Sequence, residues 1–182
     1  MKTAPTKEDP LQVSFGRSHL PHDFRGKKVS LNSFGAKGTA ALDWVNADGL
    51  KNISERGIVI QVVGKSADSR NVFYGLARSF VLKSISTRCL YPTDLFHGEI
   101  TDQLSEELEN RGCLFIDKMG VDGQNFIEPQ TAFHLEVFLE RWLGSGKSFA
   151  LRTEIDIKDV KQWSESFRFF VRSRLTQTFF VG

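Results

Sequence analysis

The segment Gly57–Arg78, GIVIQVVGKSADSRNVFYGLAR, limits the possible folds more than any other part of the chain. Ile58, Val59, Ile60, Val62 and Val63 form a near-continuous β-branched run, as in a parallel strand covered on both faces. Val72, Phe73, Leu76, Ala77, Phe80 and Val81 then recur at helical spacing and make one apolar stripe. Between the two lies a polar connection, Gly64-Lys65-Ser66-Ala67-Asp68-Ser69. A buried strand that turns tightly into an amphipathic helix calls for a layered α/β domain around it.

The same order of elements is used to hold nucleotide phosphates. That chemistry needs G-x-x-x-x-G-K-[ST]: glycines let backbone N–H groups wrap the phosphates, the lysine neutralises them, and the hydroxyl ligates Mg²⁺. Gly64-Lys65-Ser66 supplies the last three letters, but the first glycine would fall at Val59, inside the strand. Alignment on the strand and helix instead puts the lysine–threonine pair at Asp68-Ser69. A unit charge at ~4 Å and an effective dielectric of ~20 is worth roughly 4 kcal/mol, so a carboxylate there turns strong attraction into repulsion. An ordinary strand-to-helix turn is the expected reading, and a rearranged phosphate loop is the alternative. A second candidate, Gly144-Ser145-Gly146-Lys147-Ser148, follows a helix and precedes a strand, the reverse of the required order.

A chain of 182 residues fits one domain with a substantial core. A net charge of +2 does not by itself imply nucleic acid. Sixteen phenylalanines point to an aromatic-rich core or interface. Cys89 and Cys113 sit in or beside apolar runs without metal-ligand spacing, and read as reduced core residues. No apolar run approaches the ~18 residues of a membrane span, and no signal-peptide core opens the chain. A soluble cytoplasmic protein with no membrane partner is expected. His19, His22, His97 and His134 form no close set with Asp or Cys, so no metal site is expected. There is no G-x-S-x-G elbow, and no catalytic residue is assigned.

Residues 1–18 carry Pro5, Pro10 and mixed charges without periodicity, and read as a flexible arm. Residues 19–38 read as an ordered strap anchored by Leu20, Phe24, Val29, Leu31 and Phe34, with Arg25, Lys27 and Lys28 outward. Residues 39–182 form the core. Helices are expected over Thr39–Arg56 (interrupted near Gly49), Asp102–Asn110, Pro129–Leu143, Asp156–Trp163 and Glu165–Leu175. Strands are expected at Thr87–Tyr91, Cys113–Asp117, Ser148–Thr153 and Thr178–Val181. Strands alternating with helices imply a parallel sheet with right-handed crossovers. Arg168, Arg172 and Arg174 interleave with Phe167, Phe169 and Phe170. Such a helix could bind single-stranded nucleic acid by stacking and phosphate contacts, or bury its rings and solvate its arginines.

Several segments, in order, resemble the bacterial replicative-helicase loaders (DnaC-type) and the helper ATPases of insertion sequences, both AAA+ proteins. Leu20-Pro21-His22-Asp23-Phe24-Arg25 is similar to the family's I-P-x-x-[FY]-R, and Leu31–Phe34 to its F-x-x-F-like anchor. Gly57–Ile60 resembles the strand entering Walker A, and YPTDL at Tyr91–Leu95 the family's "D-L" segment. CLFIDKMG at Cys113–Gly120 resembles Walker B, commonly LLVIDDLG. WLGSGKSFALRTE at Trp142–Glu154 resembles R-x-x-S-G-K-P-x-I-x-T-T-N, ending at sensor 1, and Ser173-Arg174-Leu175 the S-R-L of the arginine finger.

The resemblance implies a three-layer αβα P-loop/AAA+ core, here without a separate lid domain. Its nucleotide site would comprise Gly64, Lys65, Ser66, Asp68, Ser69 and Asp117, in degenerate form. Asp68 and Ser69 stand for the Walker A pair, and Asp117 keeps the Mg²⁺-placing carboxylate. Lys118 takes the place of the acid that polarises water, and an ammonium is no base at neutral pH. Glu154 replaces the sensor asparagine, and Arg174 keeps the arginine-finger position. The expectation is a non-hydrolysing, loader-like pseudo-ATPase that binds a replicative helicase or an AAA+ loader, with DNA and an oligomer as further possibilities. No cofactor is expected; the alternatives are a weak ATPase using ATP and Mg²⁺, or a single-stranded nucleic-acid binder through Arg168, Arg172 and Arg174.

Overall fold

The computed structural model describes residues 9–26, 29–49, 51, 53, 57–92, 94, 108–119, 129–160 and 163–182. Five strands form one sheet: β1 (Val59–Val63), β2 (Thr87–Leu90), β3 (Cys113–Met119), β4 (Ser148–Thr153) and β5 (Leu175–Phe180). Their order is β2-β3-β4-β1-β5, and each neighbouring pair is parallel. The helices are α1 (Pro10–Arg17), α2 (Gly35–Trp44), α3 (Ala67–Leu82), α4 (Pro129–Gly144) and α5 (Glu165–Arg174).

Alternation along the strands sorts side chains into two cores. Ile60, Val62, Phe115 and Ala150 pack beneath Phe15 of α1, Ala41 of α2, and Val72, Phe73, Leu76 and Phe80 of α3. Val59, Leu114, Ile116, Phe149 and Leu151 face Leu135, Leu139 and Trp142 of α4, with Phe167 and Val171 of α5. The result is the expected three-layer αβα arrangement, and no separate lid domain stands among the described residues. Each fully buried Leu or Phe contributes about 1.5–3 kcal/mol, so both layers hold the sheet.

Three expectations change. Residues 10–17, read as part of a flexible arm, form α1: the Asp9 carboxylate caps it by accepting from the Leu11 N–H, and Phe15 is fully buried. The Ser18 carbonyl then accepts from the Cys89 N–H at 2.7 Å, so the chain start lines the outer edge of β2. Asp156–Trp163, read as a helix, shows among its described residues a 3₁₀ turn at Ile157–Asp159. Ile157, Val160 and Trp163 are all buried, so the spacing that imitates a helix marks three core anchors. Helix α2 starts at Gly35 rather than Thr39 and passes at Val45 into a π turn ending at Gly49. Most of Asp102–Asn110, together with His97, Lys27 and Lys28, lies outside the described residues. Within residues 19–34, Leu20, Phe24 and Leu31 are buried. Among the described residues no helix is long and apolar enough to cross a membrane.

Candidate functional site at the carboxyl ends of the strands

Open parallel sheets bind ligands at the carboxyl ends of their strands. Gly64, Asp117 and Glu154 sit at or just past those ends on β1, β3 and β4. Only Gly64, Lys65 and Ser66 separate β1 from α3. The loop is closed on itself. The Gly64 N–H donates to the Thr153 carbonyl at 2.9 Å, and a Cβ on Gly64 would stand 2.1 Å from the Val181 carbonyl oxygen, so only glycine fits there. Ser66 caps α3, its hydroxyl accepting from the Ser69 N–H at 3.4 Å. Asp68 lies exposed in the first turn, where a carboxylate complements the helix dipole.

Lys65 pairs with Glu154 at 3.3 Å, the lysine side chain 74% exposed and the glutamate only 15%. An exposed partner keeps such a bridge weak, about 0–1 kcal/mol. Its geometry still matters, because it joins the loop's one cation to the acid just past the end of β4.

Beneath the loop lies a buried polar network on the α3 side of the sheet. Asp117 is essentially inaccessible. Its Oδ1 accepts from the Lys118 N–H at 2.7 Å and from Nε of Arg152 on β4. Its Oδ2 accepts from the Tyr74 hydroxyl of α3 at 2.7 Å. Burial, and then the Asp117 charge, push the Tyr74 hydroxyl pKa well up, so it remains a donor. The second Arg152 arm donates from Nη1 to the Ser69 hydroxyl at 3.3 Å, and that hydroxyl lies 2.8 Å from the carbonyls of Gly64 and Ser66. The β3–β4 register slips between Ile116 and Met119, where Lys118 adopts φ +57°. This kink leaves the Lys118 side chain exposed, its Nζ 5.9 Å from the Tyr91 ring.

The network also reaches the strap. Arg70 lies 5.0 Å above the Phe24 ring and 5.3 Å from that of Tyr74, and pairs with Asp23 at 2.8 Å. The hydrogen bond from Arg70 lowers the Asp23 pKa below its ordinary value.

The structure therefore brings Gly64, Lys65, Ser66, Ser69 and Asp117 together, with Asp68 turned outward. Arg152 and Tyr74 were missed by sequence reasoning. The available signal for Arg152 was a single charge inside the apolar strand Ser148–Thr153.

Arg174 lies elsewhere. The β1–β5 register pairs Val59 with Leu175 and Val63 with Phe180, placing Arg174 at the amino ends of the strands, about 15 Å of strand away from the loop. It is exposed, as is Arg172. Arg168 is half-buried, its Nη1 donating to the Lys158 carbonyl at 3.4 Å. Phe167 is buried, whereas Phe169 is 75% exposed.

No protein-family model matches the sequence, and no curated protein matches it. Solved structures do match. The replication initiator DnaA bound to AMPPCP and single-stranded DNA has a TM-score of 0.63 at 11% identity, over 86% of this chain and 51% of that one. DnaI has 0.63 at 9%, over 91% and 97%. The DnaC helicase loader has 0.59 at 9%, over 89% and 100%. The fold is that of the AAA+ P-loop domains of these proteins. At such identities the likeness is one of fold, and the chain spans about half the length of the DnaA chain.

Proposed function

We propose that this chain is a helicase-loader-like pseudo-ATPase, a non-hydrolysing binding or regulatory subunit in DNA replication or in the DNA transactions of mobile elements. One observation carries the reading: three residues join β1 to α3. The Walker A motif places four residues between its two glycines, so little backbone is left to surround a triphosphate. What there is serves the protein itself. Ser66 caps the helix, and Lys65 is engaged by Glu154. The partner would be another AAA+ subunit, a loader or a replicative helicase, whose bound nucleotide Arg174 could meet in trans.

Calorimetric titration of the purified protein with ATP and Mg²⁺, then ADP, tests this. No heat at millimolar nucleotide is expected; micromolar binding that Lys65→Ala abolishes would overturn the reading in favour of a rearranged phosphate loop.

A second reading rests on Phe169, exposed on α5 beside Arg168 and Arg172. A ring in that setting can stack on a base for about 1–3 kcal/mol. Affinity for a single-stranded oligonucleotide should then fall steeply with salt and drop on Phe169→Ala. Absent or salt-insensitive binding removes it.

A further inference from the structure

The fold family implies ATP with Mg²⁺, and P-loop proteins hold that ion between the loop Ser/Thr and the Walker B aspartate. The corresponding residues here are Ser69 and Asp117, and they do not fit a metal ion. Arg152 lies between them, one arm on the Asp117 carboxylate and the other on the Ser69 hydroxyl. The remaining Asp117 oxygen is taken by Tyr74. Arg152 is 5% exposed, and it enters from β4, from the strand position next to Thr153 and two before the sensor residue Glu154.

We infer that Arg152 is a tethered cation that replaces the divalent ion, and that a metal site lies latent beneath it. The inference rests on reading this junction as a degenerate nucleotide site. Three physical points support it. A guanidinium carries a fixed charge and a planar fork of donors suited to a carboxylate, so it can satisfy both residues at once. A buried carboxylate needs such a partner, since an unpaired charge inside a protein is costly. Tethering also removes the exchange step: the junction forms when the chain folds, whatever the metal or nucleotide concentration. With Arg152 in place a dication would meet a fixed positive charge at contact distance. With Arg152 shortened, Asp117 and Ser69 would face a vacated volume that water and a metal ion can enter.

The experiment uses Mn²⁺ alone, without nucleotide, on the full chain. Bound ion is counted by electron paramagnetic resonance, and the unfolding midpoint is followed against Mn²⁺ concentration. The wild type should show no Mn²⁺ site that depends on Asp117. Arg152→Thr should gain one, with a midpoint that climbs as Mn²⁺ is added, and Arg152→Thr with Asp117→Asn should lose it. Arg152→Gln, which keeps a neutral donor toward Asp117, is measured alongside. If Arg152→Thr folds only when Mn²⁺ is present, the inference also stands. It is overturned if the wild type binds Mn²⁺ through Asp117. It is equally overturned if neither variant gains an Asp117-dependent site, including by failing to fold at millimolar Mn²⁺. Nucleotide binding by the wild type would defeat the pseudo-ATPase reading without touching this result, because no nucleotide enters the Mn²⁺ measurement.

Discussion

The two faces of the sheet are made of different materials. Beneath α4 and α5 the core is mainly aliphatic and aromatic, with Leu135, Leu139, Phe149, Leu151 and Phe167 fully buried. Among the described residues its polar contacts include the Gln61–Thr153 and Glu136–Ser164 hydrogen bonds rather than a buried ion pair. Beneath α3 the apolar packing gives way near the strand ends to Asp117, Arg152, Tyr74 and Ser69. A sheet held by apolar contact alone is often as stable as one containing a buried ion pair, or more so. Stability alone is therefore a weak reason for the polar junction, and the proposed replacement of an ion by Arg152 supplies another.

The largest effect expected from breaking this contrast is on Arg152. Arg152→Ala should cost about 3–5 kcal/mol in urea unfolding, because it strands the Asp117 charge. Adding Asp117→Asn should recover part of that loss; a double variant no better than the single one would mean that packing, not charge, is what Arg152 supplies. On the other face, Leu139→Ala should cost about 2–5 kcal/mol through the cavity it leaves. A second-site neutralisation of Asp117 should not relieve it.

Alkaline pH should separate the faces without mutation. Burial pushes the thiols of Cys89 and Cys113 well above their ordinary pKa, and the Tyr74 hydroxyl likewise. Cys89, Cys113 and Tyr74 belong to the α3-side core. An acid whose folded pKa is raised adds stability below its unfolded value and loses it as pH climbs past that value. Stability should thus decline from about pH 8.5, where an unfolded thiol begins to ionise, and more steeply near pH 10. Cys89→Ala should flatten the first part of that decline.

The smallest effect belongs to the strap. The Asp23 pKa is lowered, so its contribution exists above the unfolded carboxylate value and disappears as pH falls through the folded one. Both side chains are well exposed, which limits Asp23→Ala to under about 1 kcal/mol. Above pH 5 the loss should be measurable, and in strong acid wild type and variant should converge.

The sequence made the strongly periodic elements legible: β1, α3, β4 and α4 stand within a few residues of where apolar spacing puts them. Helix α1 escaped because only Phe15 among its residues is fully buried, too little to set a period. Around the candidate loop, the departures from the family pattern at Asp68 and Lys118 are read directly from the sequence. The loop's reduction to three residues depended on where the strand stops and the helix starts, which periodicity locates only approximately. Arg152 escaped for another reason. Its partner lies 35 residues away, and the slip in β3 at Asp117 and Lys118 that aligns them has no letter in the sequence.

The Val181 carbonyl against Gly64 has a practical consequence for anyone handling the protein. A purification handle fused after Gly182 would leave the domain directly over the β1–α3 loop. A polyhistidine handle there would place imidazoles beside Lys65 and gather the metal that the Mn²⁺ measurement counts. The handle therefore belongs at the other end of the chain, or should be cleaved away before any ion is added.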